Sequence, residues 1–171
     1  MALIKAVKGI MPNIGKRCFI AENATIAGDV VLGDDCSVWF NAVVRGDVHY
    51  IRIGRNVNIQ DGVIIHCTYR HAPVNIGNNV SIAHNAIVHG CDIHDSVLVG
   101  MGAILMDHVV VQSNSIIAAG ALVTKGTVVE ANSVYAGTPA KKIKSIDKEL
   151  SEGEILRIAN SYNMYAGWHK L

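Results

Sequence analysis

A branched aliphatic residue returns at every sixth position along most of this chain, and that period limits the folds open to it. Steps of six run from Ile14 through Ile20, Ile26, Leu32 and Val38 to Val44. A step of nine leads to Ile53, Ile59 and Ile65, and a step of eleven to Ile76, Ile82 and Val88. A step of five reaches Ile93. The six-residue rhythm then continues through Val99, Leu105, Val111, Ile117, Val123 and Val129 to Tyr135. Of these 20 positions, 19 are Ile, Leu or Val; those types make up 50 of the 171 residues, so about six matches would arise by chance. The fifth residue of most units is small or β-branched, as at Cys18, Ala24, Val30, Cys36 and Ala42, which predicts a tight inner corner. The second is often glycine, at Gly15, Gly33, Gly54, Gly77 and Gly100, which points to a turn needing permissive dihedrals.

A hexapeptide period is the signature of a parallel β-helix. One hexad forms one short flat side, and three form a triangular coil of 18 residues. Coils stack at the inter-strand spacing of about 4.8 Å. Twenty hexads make between six and seven coils, placed in residues 1–140. The pattern ends near Ala136-Gly137-Thr138-Pro139-Ala140, where Gly and Pro interrupt regular structure. Residues 141–171 read as a helical segment. Ser151 and Glu154 have the spacing of a capping box. Ile155, Ile158, Ala159, Tyr162 and Tyr165/Ala166 follow at helical spacing, a stripe that would pack on the flank of the β-helix.

Composition removes several functions. Fifteen basic against fourteen acidic residues leave a net charge of +1, which argues against nucleic-acid binding or a polybasic membrane patch. The N-terminus has no apolar signal region, and no run of about 18 apolar residues occurs, so a soluble cytoplasmic protein is expected. The four cysteines form no C-x-x-C pair. Cys18 and Cys36 occupy equivalent corners eighteen residues apart, close enough for a disulfide; the cytoplasm favours reduced thiols.

The period also turns sequence into space. Val44, Ile65 and Val88 begin hexads on one side of the prism, so the residues after them, Arg45, His66 and His89, should stack in one column. Ile59 and Ile82 begin hexads on another side, which stacks Asp61 with His84. Two imidazoles one coil apart can chelate a single ion. His84 lies up to about 16 Å from His89 along an extended segment, so it is poorly placed to join them within one subunit. A neighbour related by a threefold axis could bring its Asp61/His84 column to this Arg45/His66/His89 column. A carboxylate would then meet Arg45, and a third imidazole would meet the other two. Three histidines with an open fourth position are catalytic zinc geometry. The two long steps, after Val44 and after Ile65, bracket this site, and insertions in repeat proteins project loops on the functional face. His71, within the second insertion, is either a proton-transfer group or a solvated loop residue.

Arg45-Gly46-Asp47, Asn58-Ile59-Gln60-Asp61-Gly62, His66, and His84 with His89-Gly90-Cys91 resemble the gamma-class carbonic anhydrases and their hexapeptide-repeat relatives. The resemblance implies a left-handed coil and a homotrimer. It implies that His66, His84 and His89 bind the metal, Zn²⁺ or else iron(II) or cobalt(II), with one ligand donated by the adjacent subunit. It implies that Gln60 hydrogen-bonds the metal-bound hydroxide and that Asn58 orients Gln60. Arg45, Asp47 and Asp61 would form the charged set at the subunit interface, and Tyr162 would line the site from the C-terminal helix. The reaction implied is reversible hydration of CO₂ to bicarbonate. Well-studied members carry glutamates near the site for proton shuttling, whereas here none occurs between Glu22 and Glu130. Proton removal then falls to His71, Tyr69, buffer or water, or hydration is slow. Two other functions fit the repeat: an acyltransferase or thioesterase acting on acyl-CoA, and a catalytically weak metal-binding trimer.

Overall fold

The computed structural model describes residues 1–169. It is the β-helix that the period predicts: a parallel solenoid of about seven turns with a helix at its C-terminal end. The strands form two sheets. One has eight strands and makes one side of the prism. The other has twelve and makes two sides, joined where Thr25–Leu32 and Val43–Ile53 run on around a corner. Hexad starts fall in register. On one side Ile20, Val38, Ile59, Ile82, Val99, Ile117 and Tyr135 pair coil upon coil. All twenty starts are buried except Ile14 and Ile20, which are half-buried in the first coil. Burying each such side chain contributes about 1.5–3 kcal/mol, so the ladder carries the fold.

The turn chemistry differs from the sequence expectation. The second-position glycines do not adopt left-handed backbone. They are needed because coils approach closely: a Cβ at Gly33 would stand 2.5 Å from the carbonyl oxygen of Gly54. Positive φ falls instead on the fourth residue of many hexads, where Asp35, Asn41, Asn56, Asn79, Asn85, Asn114 and Asn132 turn the corner. Asn and Asp tolerate that region better than other side chains with a Cβ.

After Gly137 the chain reverses, and Ala140–Ser145 pairs antiparallel with Ser133–Gly137, closing the last coil. The helix starts earlier than the Ser151/Glu154 capping box predicts. Asp147 is the N-cap, its carboxylate accepting the Leu150 N–H at 2.8 Å, so Ser151 falls within the helix. Ser151–Leu156 winds in wider π-type turns before Arg157–Trp168 continues as regular α-helix. The apolar stripe packs as expected, with Ile155, Ala159 and Ala166 buried. Asn56, on a solenoid corner, fixes the seat: it donates to Asn160 and accepts from Asn163. All four cysteines are reduced. Among the described residues no helix is long and apolar enough to cross a membrane.

Candidate metal centre

Three parallel strands carry the first column. Val43–Ile53, Ile64–His66 and Ile87–His89 pair so that Arg45 lies beside His66 and His66 beside His89. The second column forms at the next edge, where His84 Nδ1 lies 2.9 Å from Asp61 Oδ2. Thus the pairs the period predicts are present, and His84 stands apart from the other two histidines. Among the described residues of one chain, no three His, Cys, Asp or Glu side chains converge on a metal position.

Each of the three histidines has its own carboxylate. His66 Nε2 donates to Asp47 Oδ1 at 3.1 Å, and His89 Nδ1 donates to Asp107 Oδ1 at 2.6 Å. A neutral imidazole has one N–H and one acceptor nitrogen. With each N–H committed to a carboxylate, His66 Nδ1 and His89 Nε2 are left as acceptors, and they face each other at 3.1 Å. Two lone pairs so placed repel unless a cation lies between them. Two nitrogens on one tetrahedral zinc, each at about 2.0–2.1 Å, stand about 3.3 Å apart, so the pair fits that ion with little movement. His84 turns Nδ1 toward Asp61, which leaves Nε2 as its other nitrogen. A carboxylate on the far nitrogen is the usual support of a metal-binding imidazole.

Electrostatics agree with this arrangement. Burial lowers the His66 pKa below its ordinary value, and Arg45 lowers it further, against the opposing pull of Asp47. Burial alone would raise Asp47 and Asp107. Hydrogen bonds from Arg45 and His66 to the first, and from Thr68 and His89 to the second, hold both below the usual carboxylate range. Within one chain Arg45 pairs with Asp47 rather than with Asp61.

Gln60, Asn58 and Tyr162 assemble on the His84 side. Asn58 Nδ2 donates to Ser81 Oγ at 2.7 Å, and Asn58 Oδ1 accepts from Gln60 Nε2 at 2.9 Å. Both amides are buried. Gln60, His84, Tyr162, Tyr165, Leu98 and Met101 line a largely apolar cleft of about 350 Å³ between helix and solenoid. Burial, and then the charge of Asp61, push the Tyr162 hydroxyl up to about 12, so it stays protonated at neutral pH.

The hexapeptide profile described as bacterial transferase hexapeptide (six repeats) matches residues 11–46 and 90–125, leaving out the stretch that holds the two insertions and most of this site. A carbonic anhydrase of Geobacillus kaustophilus is 39% identical over 90% of this chain and 81% of its own length. The mitochondrial gamma carbonic anhydrase 2 of Arabidopsis thaliana is 38% identical over 90% of this chain and 56% of its own. The chain belongs to the gamma carbonic anhydrase-like hexapeptide-repeat family. Among solved structures, one from Bacillus cereus described as a putative acetyltransferase superposes with a TM-score of 0.95 at 36% identity, covering 99% of this chain and 97% of that one.

In this gamma carbonic anhydrase-like chain, sequence reasoning missed Asp107 and Thr68. Thr68 Oγ1 donates to Asp107 Oδ2 at 2.6 Å. Asp107 was findable: it is the third residue of the hexad beginning at Leu105, one coil beyond Gly90 in the same column. Thr68 carries no such signal, because it lies in an insertion that breaks the period. His71 packs edge-on against His108 at 4.9 Å, and both are exposed.

Proposed function

We propose that three copies of this chain form a metal-dependent enzyme that reversibly hydrates CO₂ to bicarbonate. His66 and His89 of one subunit and His84 of the next would hold the ion, zinc or else iron(II) or cobalt(II). The observation that carries this is the division of three carboxylate-supported histidines between two edges of one solenoid. His66 and His89 each keep one acceptor nitrogen, and among the described residues of one chain the three histidines do not converge. A copy placed against the first edge also accounts for Ile64, Ile87 and Ile104, an exposed aliphatic ladder beside the histidine column. The relatives named as carbonic anhydrases support the choice of reaction.

When bound, such an ion supplies the Lewis acidity that makes water a nucleophile near neutral pH. The chain's own residues do the rest. Ser81 and Asn58 fix the Gln60 amide, leaving its Oε1 and second N–H to orient a ligand in the cleft. The protonated Tyr162 hydroxyl offers a second donor there. Leu98, Met101 and Tyr165 keep the approach apolar, which suits CO₂ more than water.

The test is anaerobic metal analysis of the purified protein, its mass by sedimentation, and CO₂ hydration with and without imidazole. About one metal per chain, a trimer, and hydration raised by imidazole are expected. His84→Ala should abolish metal uptake with the fold intact. Mixing that variant with a His66→Ala/His89→Ala variant should restore metal to part of the sites, because one supplies the pair and the other the third ligand. Failure of the mixture would overturn the shared site. A second function is favoured by the cleft, which is far larger than a triatomic substrate requires, and by the description of the Bacillus cereus structure. Turnover of acyl-CoA by metal-free protein would establish it instead.

A further inference from the structure

We propose that Asp107, held by Thr68 and admitted by Gly90, is the residue that positions His89 for metal binding. The inference rests on the metal site proposed above. Four features support it. First, both carboxylate oxygens of Asp107 are engaged: Oδ1 with His89 Nδ1 at 2.6 Å and Oδ2 with Thr68 Oγ1 at 2.6 Å. The carboxylate is pinned at two points, so the imidazole plane it holds is fixed as well. Second, the contact selects a tautomer. A proton on Nδ1 leaves Nε2 bare, and Nε2 is the atom aimed at His66.

Third, room for this carboxylate is made by the absence of a side chain. Gly90 lies between His89 and the next coil, and a Cβ there would stand 2.6 Å from Asp107 Oδ1 and 2.7 Å from the Ala72 Cβ. Any other residue at 90 would displace the group that orients His89. Fourth, the second insertion has a structural purpose that the period cannot explain. Thr68 and Ala72 close a small antiparallel bridge by mutual backbone hydrogen bonds, which sets the Thr68 hydroxyl over Asp107. The first insertion does the same service for the other ring, since it carries Asp47 to His66. Each of the two insertions thus delivers one piece of support for one histidine.

Two readouts on the full-length protein test the role. One is the ¹⁵N spectrum of His89 in metal-free protein, which reports its tautomer. The other is zinc affinity by competition with a chromophoric chelator. Wild type is expected to show His89 protonated on Nδ1. Asp107→Ala should lose the fixed tautomer and bind zinc about 10–100-fold more weakly. Thr68→Val should weaken zinc less, and Thr68→Ser should restore it. Asp107→Asn keeps an acceptor and should fall between wild type and Asp107→Ala; it replaces Asp107→Ala if that variant does not fold. An unchanged tautomer together with unchanged zinc affinity, in variants that differ only in thermal stability, would overturn the inference. If wild type takes up no zinc, the metal site itself fails, and the tautomer comparison alone still decides whether Asp107 orients His89.

Discussion

Neighbouring strands of one sheet present two aliphatic ladders on its opposite sides. Inward, Val44, Ile65, Val88 and Leu105 are fully buried. Outward, Ile64, Ile87 and Ile104 remain 37%, 36% and 38% exposed. The inner ladder is explained by the solenoid itself. The outer one is not, because a solvent-facing side of a β-helix has no need of isoleucine in three successive coils. It borders Arg45, His66 and His89, so the excess apolar surface and the stacked histidine pair occupy one face. An inner residue answers to the fold of one chain, and an outer residue to the neighbouring copy in the proposed trimer.

The sharpest break of that comparison is a charge placed on either side of one strand. Val88→Asp buries an unpaired carboxylate and is expected to abolish folding, read by circular dichroism. Ile87→Asp, one residue away, should keep the fold and shift sedimentation from the proposed trimer to a monomer. Equal unfolding by both would refute the distinction. A milder version compares truncations. Ile65→Ala should cost about 2–5 kcal/mol in denaturant unfolding. Ile64→Ala should cost less than about 1 kcal/mol in the separated subunit, its larger effect appearing in the dissociation constant.

Gln60 sharpens the comparison from a third direction, being polar yet only 3% exposed. Gln60→Ala is expected to lower kcat for CO₂ hydration about 100-fold with metal content unchanged. Equal loss of metal and rate would make Gln60 structural. The smallest effect concerns the corners between sides. The neighbouring Cys36 thiol lowers Cys18 to about 7 against the opposing effect of burial, while burial raises Cys67 to about 11. Cys18 is also the one cysteine not fully buried. Its thiolate fraction therefore grows as pH rises and levels off above 7. Iodoacetamide at pH 7 should label Cys18 ahead of the other three, mapped by mass spectrometry; prior labelling of Cys67 would contradict this.

The six-residue step was enough to stack Arg45 on His66 on His89, and Asp61 on His84, because a parallel coil turns a fixed sequence interval into vertical adjacency. It also placed the inner ladder and separated His84 from His66 and His89. Where local chemistry competes, it was less informative. The Ser151/Glu154 spacing resembles a helix start, yet Asp147 caps the helix first. Glycine at second positions looked like turn chemistry and is instead a matter of clearance between coils.

What the sequence by itself determined is therefore periodic: fold, register and the two histidine-bearing columns follow from the repeat, since each hexad must bury the same position. What only the tertiary structure decided lies where the period breaks or where contacts cross between coils. Thr68 reaches Asp107 from an insertion, Asp107 reaches back past Gly90 to His89, and Asn56 holds the C-terminal helix that roofs Gln60. Such contacts depend on side-chain reach and on space left empty by a missing Cβ, and neither leaves a regular mark on the chain.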